Sequence, residues 1–409
     1  MQILLVGEEK STIKFLAKKV QEQIELSVIS VNTLQEIKTK ILTPNTKTLV
    51  VLNSKNNKKI FDFLTKKNIP TIVTSTLHDK LPNDKDNIID SVILQSPESL
   101  NYIVTLIDRI YKNQTTKVLI VDNLKSDQNR LKSFLVNQLF PVYSASNPLE
   151  ALQIMEQQSD IKIVITDFKM PLLNGIEFLK IIRRNYSKHH LSVIGISHDK
   201  STSSSFLKHG ANDFITKPFN KDELYCRINN SAEALENISK LEEIANRDFL
   251  TKVSNRKHFF EKTDAYLKDA HKNNKKCAIA MIDIDNFKSI NDTYGHDIGD
   301  NVIKSLANIL SNNIKGHDIV ARFGGEEFVL YIKDVTKNDA LNLLENICNK
   351  IANHTEIISL NNSLNFTVSI GLVTKAEQSI SHMIASADKL LYHAKRSGKN
   401  RVISDLVLV

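Results

Sequence analysis

Short runs of aliphatic and β-branched residues alternate with longer amphipathic stretches over residues 1–236. This alternation predicts βα units arranged around a parallel sheet. The pattern occurs twice, because positions that follow three strands of the first copy recur in the second at offsets of 115, 114 and 121 residues. The paired positions are Gly7 with Asp122, Asn53 with Asp167, and Ser96 with Lys217. These nearly constant offsets predict a domain-sized duplication, with domains at residues 1–112 and 117–236.

A stretch without glycine or proline follows the second copy, over residues 221–247. Its apolar residues recur at spacings of three, four and seven, so the last helix of the second copy is predicted to continue into a connecting helix. The heptads are too few to decide whether this helix pairs with a second chain as a coiled coil.

From Asp248 onward the pattern predicts an α+β domain, residues 248–409, which is within the usual size range. Strands are predicted at residues 278–282, 319–323, 328–332 and 366–370, and helices at 286–291, 300–310 and 384–395.

Composition narrows the class of protein. The 409-residue chain has no apolar run near the ~20 residues that span a bilayer, and its N-terminus lacks the basic segment of a signal peptide, so we expect a cytoplasmic protein without membrane insertion. Its three cysteines lie far apart, which argues against a disulfide framework or a zinc site. The net charge of +8 comes from lysines interleaved with acidic residues, which favours a solvated surface over a nucleic-acid groove.

The segment from Gly324 to Phe328 carries the first candidate chemistry. Two glycines between alternating strands predict a tight hairpin, because glycine adopts positive φ without strain. Glu326 and Glu327 follow, so the tip can direct two carboxylates at one ligand. Taken alone, the segment is also compatible with a plain turn bearing surface glutamates.

A second candidate is Asp283, which directly follows an apolar strand. A carboxylate there is costly to bury unless it is paired or binds a metal. Asp283, Glu326 and Glu327 would form a carboxylate cluster able to hold two magnesium ions for in-line attack on a phosphate. Lys288 follows in the next helix, within reach of terminal phosphates.

Asn291 and Asp300 form the third candidate. Guanine presents adjacent N–H donors, for which an ionised Asp is an acceptor-only partner and an Asn both a donor and an acceptor. Each residue alone is usually a helix cap or turn residue.

The segment from Asp248 to Val402 resembles the GGDEF family of diguanylate cyclases, with residues 324–328 as a GGEEF variant. The family's opening motif is matched by Asp248, Leu250, Thr251, Asn255 and Arg256, and its closing motif by Ala387, Asp388, Leu391, Tyr392, Ala394, Lys395 and Gly398. Five matched blocks stand in the family's order.

The resemblance implies a role for each matched position. Asp283 and Glu327, helped by the Ile284 carbonyl, would ligate Mg²⁺ or Mn²⁺, two ions per half-site, and Glu326 would be a further ligand or help deprotonate the attacking hydroxyl. Asn291 and Asp300 would bind guanine. The remaining substrate contacts would come from Phe287, Lys288, Gly324, Gly325, Lys395 and Lys399. In a homodimer, each bound GTP would attack the other, giving cyclic di-GMP and two pyrophosphates.

Two positions depart from the family. Lys252 replaces the glycine after Leu-Thr, so the turn there is expected to differ. The family's inhibitory Arg-x-x-Asp motif is matched only by Lys315 and Asp318. Because lysine cannot make the bidentate fork of arginine, we expect weak or absent product inhibition through this site.

The second copy resembles response-regulator receiver domains, which implies a flavodoxin-like fold with a five-stranded parallel sheet. Asp167 stands at the phospho-acceptor position, with Asp122 as a pocket acid. The other pocket positions are Asn123, Ser197, Phe214 and Lys217. The resemblance implies a Mg²⁺ ion here and a sensor histidine kinase or phosphotransfer protein as partner. Asn123 replaces the family's second acid, so we expect weakened magnesium binding; a receiver fold kept only for dimerisation is the alternative.

The first copy lacks this chemistry. Asn53 replaces the acceptor Asp, Ser96 replaces the Lys, and Gly7-Glu8 replaces the acidic pair, so we interpret residues 1–112 as a degenerate receiver used for packing. For the whole chain, the leading hypothesis is a receiver-controlled diguanylate cyclase. The alternatives are a module that binds GTP or cyclic di-GMP without turnover, and a different nucleotide cyclase.

Overall fold

The computed structural model describes residues 1–7, 10–41, 46–55, 57–75, 86–273, 275–359, 362–374 and 379–405. The chain divides into two compact units, Met1–Ser239 and Lys240–Val409. Glu8, which the sequence analysis placed in the first copy's pocket, lies outside the described residues. No helix in the described ranges combines the length and apolar character that crossing a membrane requires.

The first unit contains two parallel five-stranded sheets, as predicted. The first fold comprises β1 (Gln2–Val6), α1 (Lys10–Ile24), β2 (Val28–Val31), α2 (Leu34–Ile41), β3 (Thr48–Asn53), α3 (Lys58–Lys66), β4 (Thr71–Ser75), β5 (Ile88–Ile93) and α4 (Pro97–Asn113). Its sheet has the order β2-β1-β3-β4-β5, with parallel pairing throughout. Helices cover both faces, which is why the central strands read as continuous apolar runs.

The second fold repeats this arrangement. It comprises β6 (Lys117–Val121), α5 (Lys125–Asn137), β7 (Val142–Ala145), α6 (Pro148–Gln157), β8 (Ile161–Asp167), α7 (Gly175–Asn185), β9 (Ser192–Ser197), α8 (Thr202–Lys208), β10 (Asp213–Thr216) and α9 (Lys221–Asn246). Its sheet order is β10-β9-β8-β6-β7, again parallel. Both folds are flavodoxin-like. Because the strands are parallel, their carboxyl ends lie at the same edge of each sheet.

Specific contacts join the two folds within the first unit. Asn113, fully buried at the end of α4, donates hydrogen bonds to the Gln138 carbonyl (3.1 Å) and to the Asn229 side chain on α9 (3.3 Å). Arg109 on α4 forms an ion pair with Glu236 on α9. The first fold therefore braces the helix that the sequence predicts as the connector, and this helix is continuous from Lys221 to Asn246.

The second unit is the predicted α+β domain. It comprises β11 (Ser254–Asn255), α10 (Arg256–Lys272), β12 (Cys277–Ile284), α11 (Phe287–Tyr294), α12 (His296–Asn312), β13 (Ile319–Gly324), β14 (Glu327–Lys333), α13 (Lys337–Ala352), β15 (Thr355–Ser359), β16 (Asn362–Asn365), β17 (Val368–Val373), α14 (Ile380–Arg396) and β18 (Arg401–Ser404). The main sheet has the order β11-β13-β14-β12-β17-β18, and β15 pairs with β16 separately. The four predicted strands are present, although the last begins at Val368 rather than 366.

Candidate functional site

The centre of the second unit's site is the buried end of β12. Asp283 lies opposite Glu327, the first residue of β14, in the antiparallel register. The Asp283 residue is only 4% exposed, and its Oδ2 atom lies 2.8 Å from the Lys395 Nζ atom on α14. The structure therefore brings together three of the predicted side chains from elements that lie far apart in sequence.

Burial and neighbouring charge make Asp283 an unusual carboxyl group. Burial raises its pKa to about 6; the Lys395 ammonium acts in the opposite direction, and the charges of Glu326 and Glu327 raise the pKa further. Burial is therefore the main reason for the raised pKa, and the Lys395 ammonium offsets it only in part.

The hairpin between β13 and β14 presents the two glutamates. Gly324 pairs with Glu327, so the tip consists of Gly325 and Glu326. The predicted tight hairpin is present, with Gly325 at a φ of +48°, whereas Gly324 is not among the positive-φ residues. A Cβ added to either glycine would meet no atom within 4 Å. The space beside the turn is open to a ligand.

Arg322 holds this hairpin in place and was missed by the sequence analysis. Its Nε and Nη2 atoms donate to the Gly325 carbonyl at 2.9 and 2.7 Å, and its Nη1 atom lies 3.1 Å from the Asp248 carboxylate. Asp248 also accepts hydrogen bonds from the backbone N–H (2.9 Å) and hydroxyl (2.7 Å) of Thr251. The opening motif is thereby tied to the glutamate turn. Lys252, at the position of the family's glycine, has a φ of +60°.

The predicted guanine-binding residues lie on neighbouring helices. Asn291 is on α11, and its buried Oδ1 atom has no hydrogen-bond partner among the described residues. Asp300 is exposed on α12. Between them, a Cβ added to Gly299 would lie 1.9 Å from the Asn291 Oδ1 atom. A buried acceptor without a partner is costly, and a guanine N–H is a donor of the kind it lacks.

The loop after β12 is held by a second buried carboxylate, which sequence reasoning also missed. Asp285 accepts hydrogen bonds from Thr367 (2.7 Å), Ser369 (2.6 Å) and the Asn400 backbone (3.0 Å). Lys399 donates to the Asn286 side chain at 2.5 Å.

Of the remaining predicted contacts, Phe287 is half-buried, and Lys288 is exposed in the first turn of α11.

The donor set of this region is compatible with a hard divalent cation. Within the described ranges, no group of three or more His, Cys, Asp or Glu side chains is arranged to hold a metal ion, so the predicted three-carboxylate cluster is not formed here. The pair of Asp283 and Glu327, beside the Ile284 carbonyl, does fit such an ion, because all donors are oxygens and two carboxylates stand beside the single ammonium of Lys395.

The counterpart of the inhibitory motif is occupied by internal bonds. The Asp318 side chain is 1% exposed and accepts from the backbone N–H groups of Lys315 and Lys333, both at 3.0 Å. Its carboxylate stabilises a turn.

In the second fold, Lys217 joins the two acidic residues of the predicted phospho-acceptor pocket. Its Nζ atom lies 2.9 Å from both Asp122 and Asp167. Ser197 is buried at the end of β9 and Phe214 is buried within β10, whereas Asn123 is exposed. The same ammonium lies 2.7 Å from a third carboxylate, Asp127, which the sequence analysis did not single out.

Within the described residues of the first fold, the positions that correspond to this pocket carry different side chains. The Asn53 side chain accepts from the Lys55 backbone at 2.9 Å, and the Asn57 amide lies beside Gly7, where an added Cβ would be 2.4 Å from it. Ser96 caps α4. Asn53, Ser96 and Gly7 occupy the positions where the second fold has Asp167, Lys217 and Asp122.

Comparison with known proteins assigns two segments of the chain. Residues 245–401 match the family model for the GGDEF domain of diguanylate cyclases, and residues 118–229 match that for the response regulator receiver domain. The chain is similar to Response regulator PleD of Caulobacter vibrioides, with 30% identity over 299 residues, 70% of this chain and 65% of that protein. It is also similar to Diguanylate cyclase DgcM of Escherichia coli, with 34% identity over 182 residues, 44% of this chain and 43% of that protein.

Among solved structures, a protein described as a two-component system response regulator/GGDEF domain protein aligns with a TM-score of 0.50 at 30% identity, covering 57% of this chain and 99% of that one. The chain thus spans less than two thirds of the length of these two curated relatives.

Proposed function

We propose that this chain, in which residues 118–229 are a receiver domain and residues 245–401 a GGDEF domain, is a diguanylate cyclase. It condenses two GTP molecules into cyclic di-GMP and releases two pyrophosphates. The observation that carries the proposal is the convergence of Asp283, Glu327 and Lys395 at one strand end, beside an open glycine turn.

The side chains divide the work between phosphate and base. Lys395 and Lys288 neutralise the triphosphate, and Asn291 and Asp300 accept hydrogen bonds from guanine. Asp283 and Glu327, with the Ile284 carbonyl, hold divalent cations, and Glu326 assists at the attacking hydroxyl. When bound, Mg²⁺ or Mn²⁺ supplies charge neutralisation on the phosphates and lowers the pKa of the hydroxyl. The protein's own contribution is positioning and electrostatics.

The product requires two half-sites. Each subunit of a homodimer binds one GTP, and each 3′-OH attacks the α-phosphate of the other nucleotide. Two bonds form and two pyrophosphates leave, so the reaction is symmetric.

We propose that phosphorylation of Asp167 regulates the cyclase activity. A sensor histidine kinase or a phosphotransfer protein donates the phosphoryl group, and the modified receiver shifts the population toward a dimer with opposed half-sites. The first fold, a degenerate receiver, braces α9 through Arg109 and Asn113. GTP and such phospho-donors are cytoplasmic, which is where we place the protein.

The test of the catalytic proposal is product identification. Purified protein is incubated with GTP and Mg²⁺, and nucleotides are separated by chromatography, for the wild type, Glu327→Ala and Glu345→Ala. Glu345 is an exposed glutamate on α13 and serves as the control. We expect cyclic di-GMP from the wild type and the control and none from Glu327→Ala. Binding of GTP without product by the wild type would instead identify a signalling module, and retained turnover in Glu327→Ala would refute the metal assignment.

Regulation by phosphorylation is tested by measuring the intact mass of the protein after treatment with acetyl phosphate. We expect one added phosphoryl group on the wild type and none on Asp167→Asn. An unmodified wild type would leave the receiver fold with a role in dimerisation alone.

A further inference from the structure

The receiver pocket lacks one negative charge at Asn123. In the receiver family the acid at this position helps to bind magnesium, and here an amide replaces it and is exposed. With Asp122, Asp167 and Lys217 alone, the pocket would have a net charge of −1. A divalent cation would be held by one fewer negative charge than in a pocket with two acids.

Asp127 lies where it can offset this deficit. It is in the first turn of α5, the helix that begins just after β6, so its side chain is directed back toward the strand ends. Its Oδ2 atom is 2.7 Å from the Lys217 Nζ atom, which is the shortest of the three contacts of that ammonium with carboxylates. The Asp127 side chain is 31% exposed, whereas that of Lys217 is 7% exposed.

The contacts of Asp127 differ from those of an ordinary first-turn Asp. An acid at this position commonly stabilises its own helix through the free N–H groups or the helix dipole. Here the short contact is to an ammonium 90 residues away along the chain. Burial acts to lower the pKa of Lys217, but hydrogen bonds, with Asp127 first and then Asp167 and Asp122, raise it above its ordinary value.

We propose that Asp127 takes over the task of the acid missing at Asn123, as a positioning residue of the phospho-acceptor pocket. With Asp127 included, three carboxylates and one ammonium give a net charge of −2, the same as a pocket with two acids, an acceptor and a lysine. Asp127 also fixes the Lys217 ammonium beside Asp167, where it meets the incoming phosphoryl group. The inference rests on the proposed phosphorylation of Asp167, and it reverses the expectation that Asn123 leaves magnesium binding weak.

The experiment uses the full-length chain and two readouts. Mg²⁺ alone is titrated by calorimetry, since the chain has no Trp to report binding by fluorescence. The titration is done in an Asp283→Asn background, which removes the proposed metal site of the GGDEF domain. The rate of phosphorylation by acetyl phosphate is followed by intact mass with Asp283 restored. The variants are Asp127→Asn, Asp127→Asn with Asn123→Asp, and the control Asp160→Asn, an exposed acid paired with Lys117 in the same fold.

We expect Asp127→Asn to weaken Mg²⁺ binding about tenfold, the lower end of what loss of a supporting group costs a metal site, and to slow phosphorylation. Adding Asn123→Asp should restore both, and Asp160→Asn should change neither. Unchanged Mg²⁺ affinity in Asp127→Asn, or failure of Asn123→Asp to restore it, would overturn the proposal. If the wild type binds Mg²⁺ through Asp127 but gains no phosphoryl mass, the proposed phosphorylation fails while the role of Asp127 in cation binding stands.

Discussion

Substitution of Gly299 by alanine is expected to weaken guanine binding with little effect on the stability of the fold. Gly299 is buried in the first turns of α12, and an added Cβ would lie 1.9 Å from the Asn291 Oδ1 atom and 3.2 Å from the Phe287 ring. Ordinary contact begins near 3.4 Å, so the Asn291 oxygen has to retreat by about 1.5 Å. Hydrogen bonds to oxygen extend to about 3.2 Å, so a bond made by this oxygen to a base would be lost.

The expected cost falls on binding. A lost hydrogen bond between neutral groups costs about 1 kcal/mol, which is about fivefold in affinity. Stability should change little, because the clash is with the end of a movable side chain and alanine gains up to about 1 kcal/mol of helix propensity over glycine. We therefore expect Gly299→Ala to raise the KM for GTP about fivefold at a nearly unchanged Tm.

The assay compares GTP with inosine triphosphate, which lacks the exocyclic amino group of guanine. The wild type should prefer GTP, and Gly299→Ala should lose part of this preference. Gly316→Ala is the matched control, because an added Cβ there meets nothing within 4 Å. Equal GTP preference in Gly299→Ala and the wild type would show that the Asn291 Oδ1 atom does not accept a hydrogen bond from the exocyclic amino group, and this contact of the proposed guanine pocket would be wrong.

Four further predictions follow from the second unit. In Gly371→Ala an added Cβ would lie 2.1 Å from a backbone oxygen of α14, so we expect at least about 2 kcal/mol loss of stability in urea unfolding. Arg322→Met should lower kcat with GTP about tenfold by freeing the hairpin, and Arg322→Lys should not restore it, because lysine lacks the fork. Without divalent ions, stability should fall as pH rises from about 4 to about 6, since burial raises the pKa of Asp283 to about 6 and the unfolded chain releases this proton first; Asp283→Asn should flatten the Tm profile. Cyclic di-GMP should not inhibit turnover through Lys315 and Asp318, and sub-micromolar binding there by calorimetry would contradict this.

The fold was predictable where side-chain periodicity reports burial directly. The strands of both parallel sheets read as short apolar runs because helices cover both faces, and the duplication was visible from the spacing of strand ends. The β15–β16 hairpin was not predicted, because its residues TEIIS and NSLN lack a clear alternation. Helix α10 is rich in charge along its length, which obscures its apolar face.

The site was predictable only in part, for a physical reason. Motifs placed Asp283 near the end of a strand and Glu327 directly after a turn, as the structure has them, because each is marked by its immediate neighbours. The side chains that hold them carry no such local mark. Arg322 acts on Asp248, 74 residues away, and Asp127 acts on Lys217, 90 residues away. An arginine or an aspartate looks the same in sequence whether it is solvated or buried in a network, so these roles required the fold.

The two candidate sites use the same electrostatic arrangement in unrelated sheets. In each, a buried aspartate ends a central strand and a lysine from a later segment supplies a counter-charge: Lys217 at Asp167, 2.9 Å, and Lys395 at Asp283, 2.8 Å. A lone buried carboxylate is costly, and one ammonium offsets only one charge. Each site has more carboxylates than ammonium groups, so each remains negative without a ligand. That residual charge is what a divalent cation would neutralise, and it explains why both sites pair an acidic strand end with a single lysine.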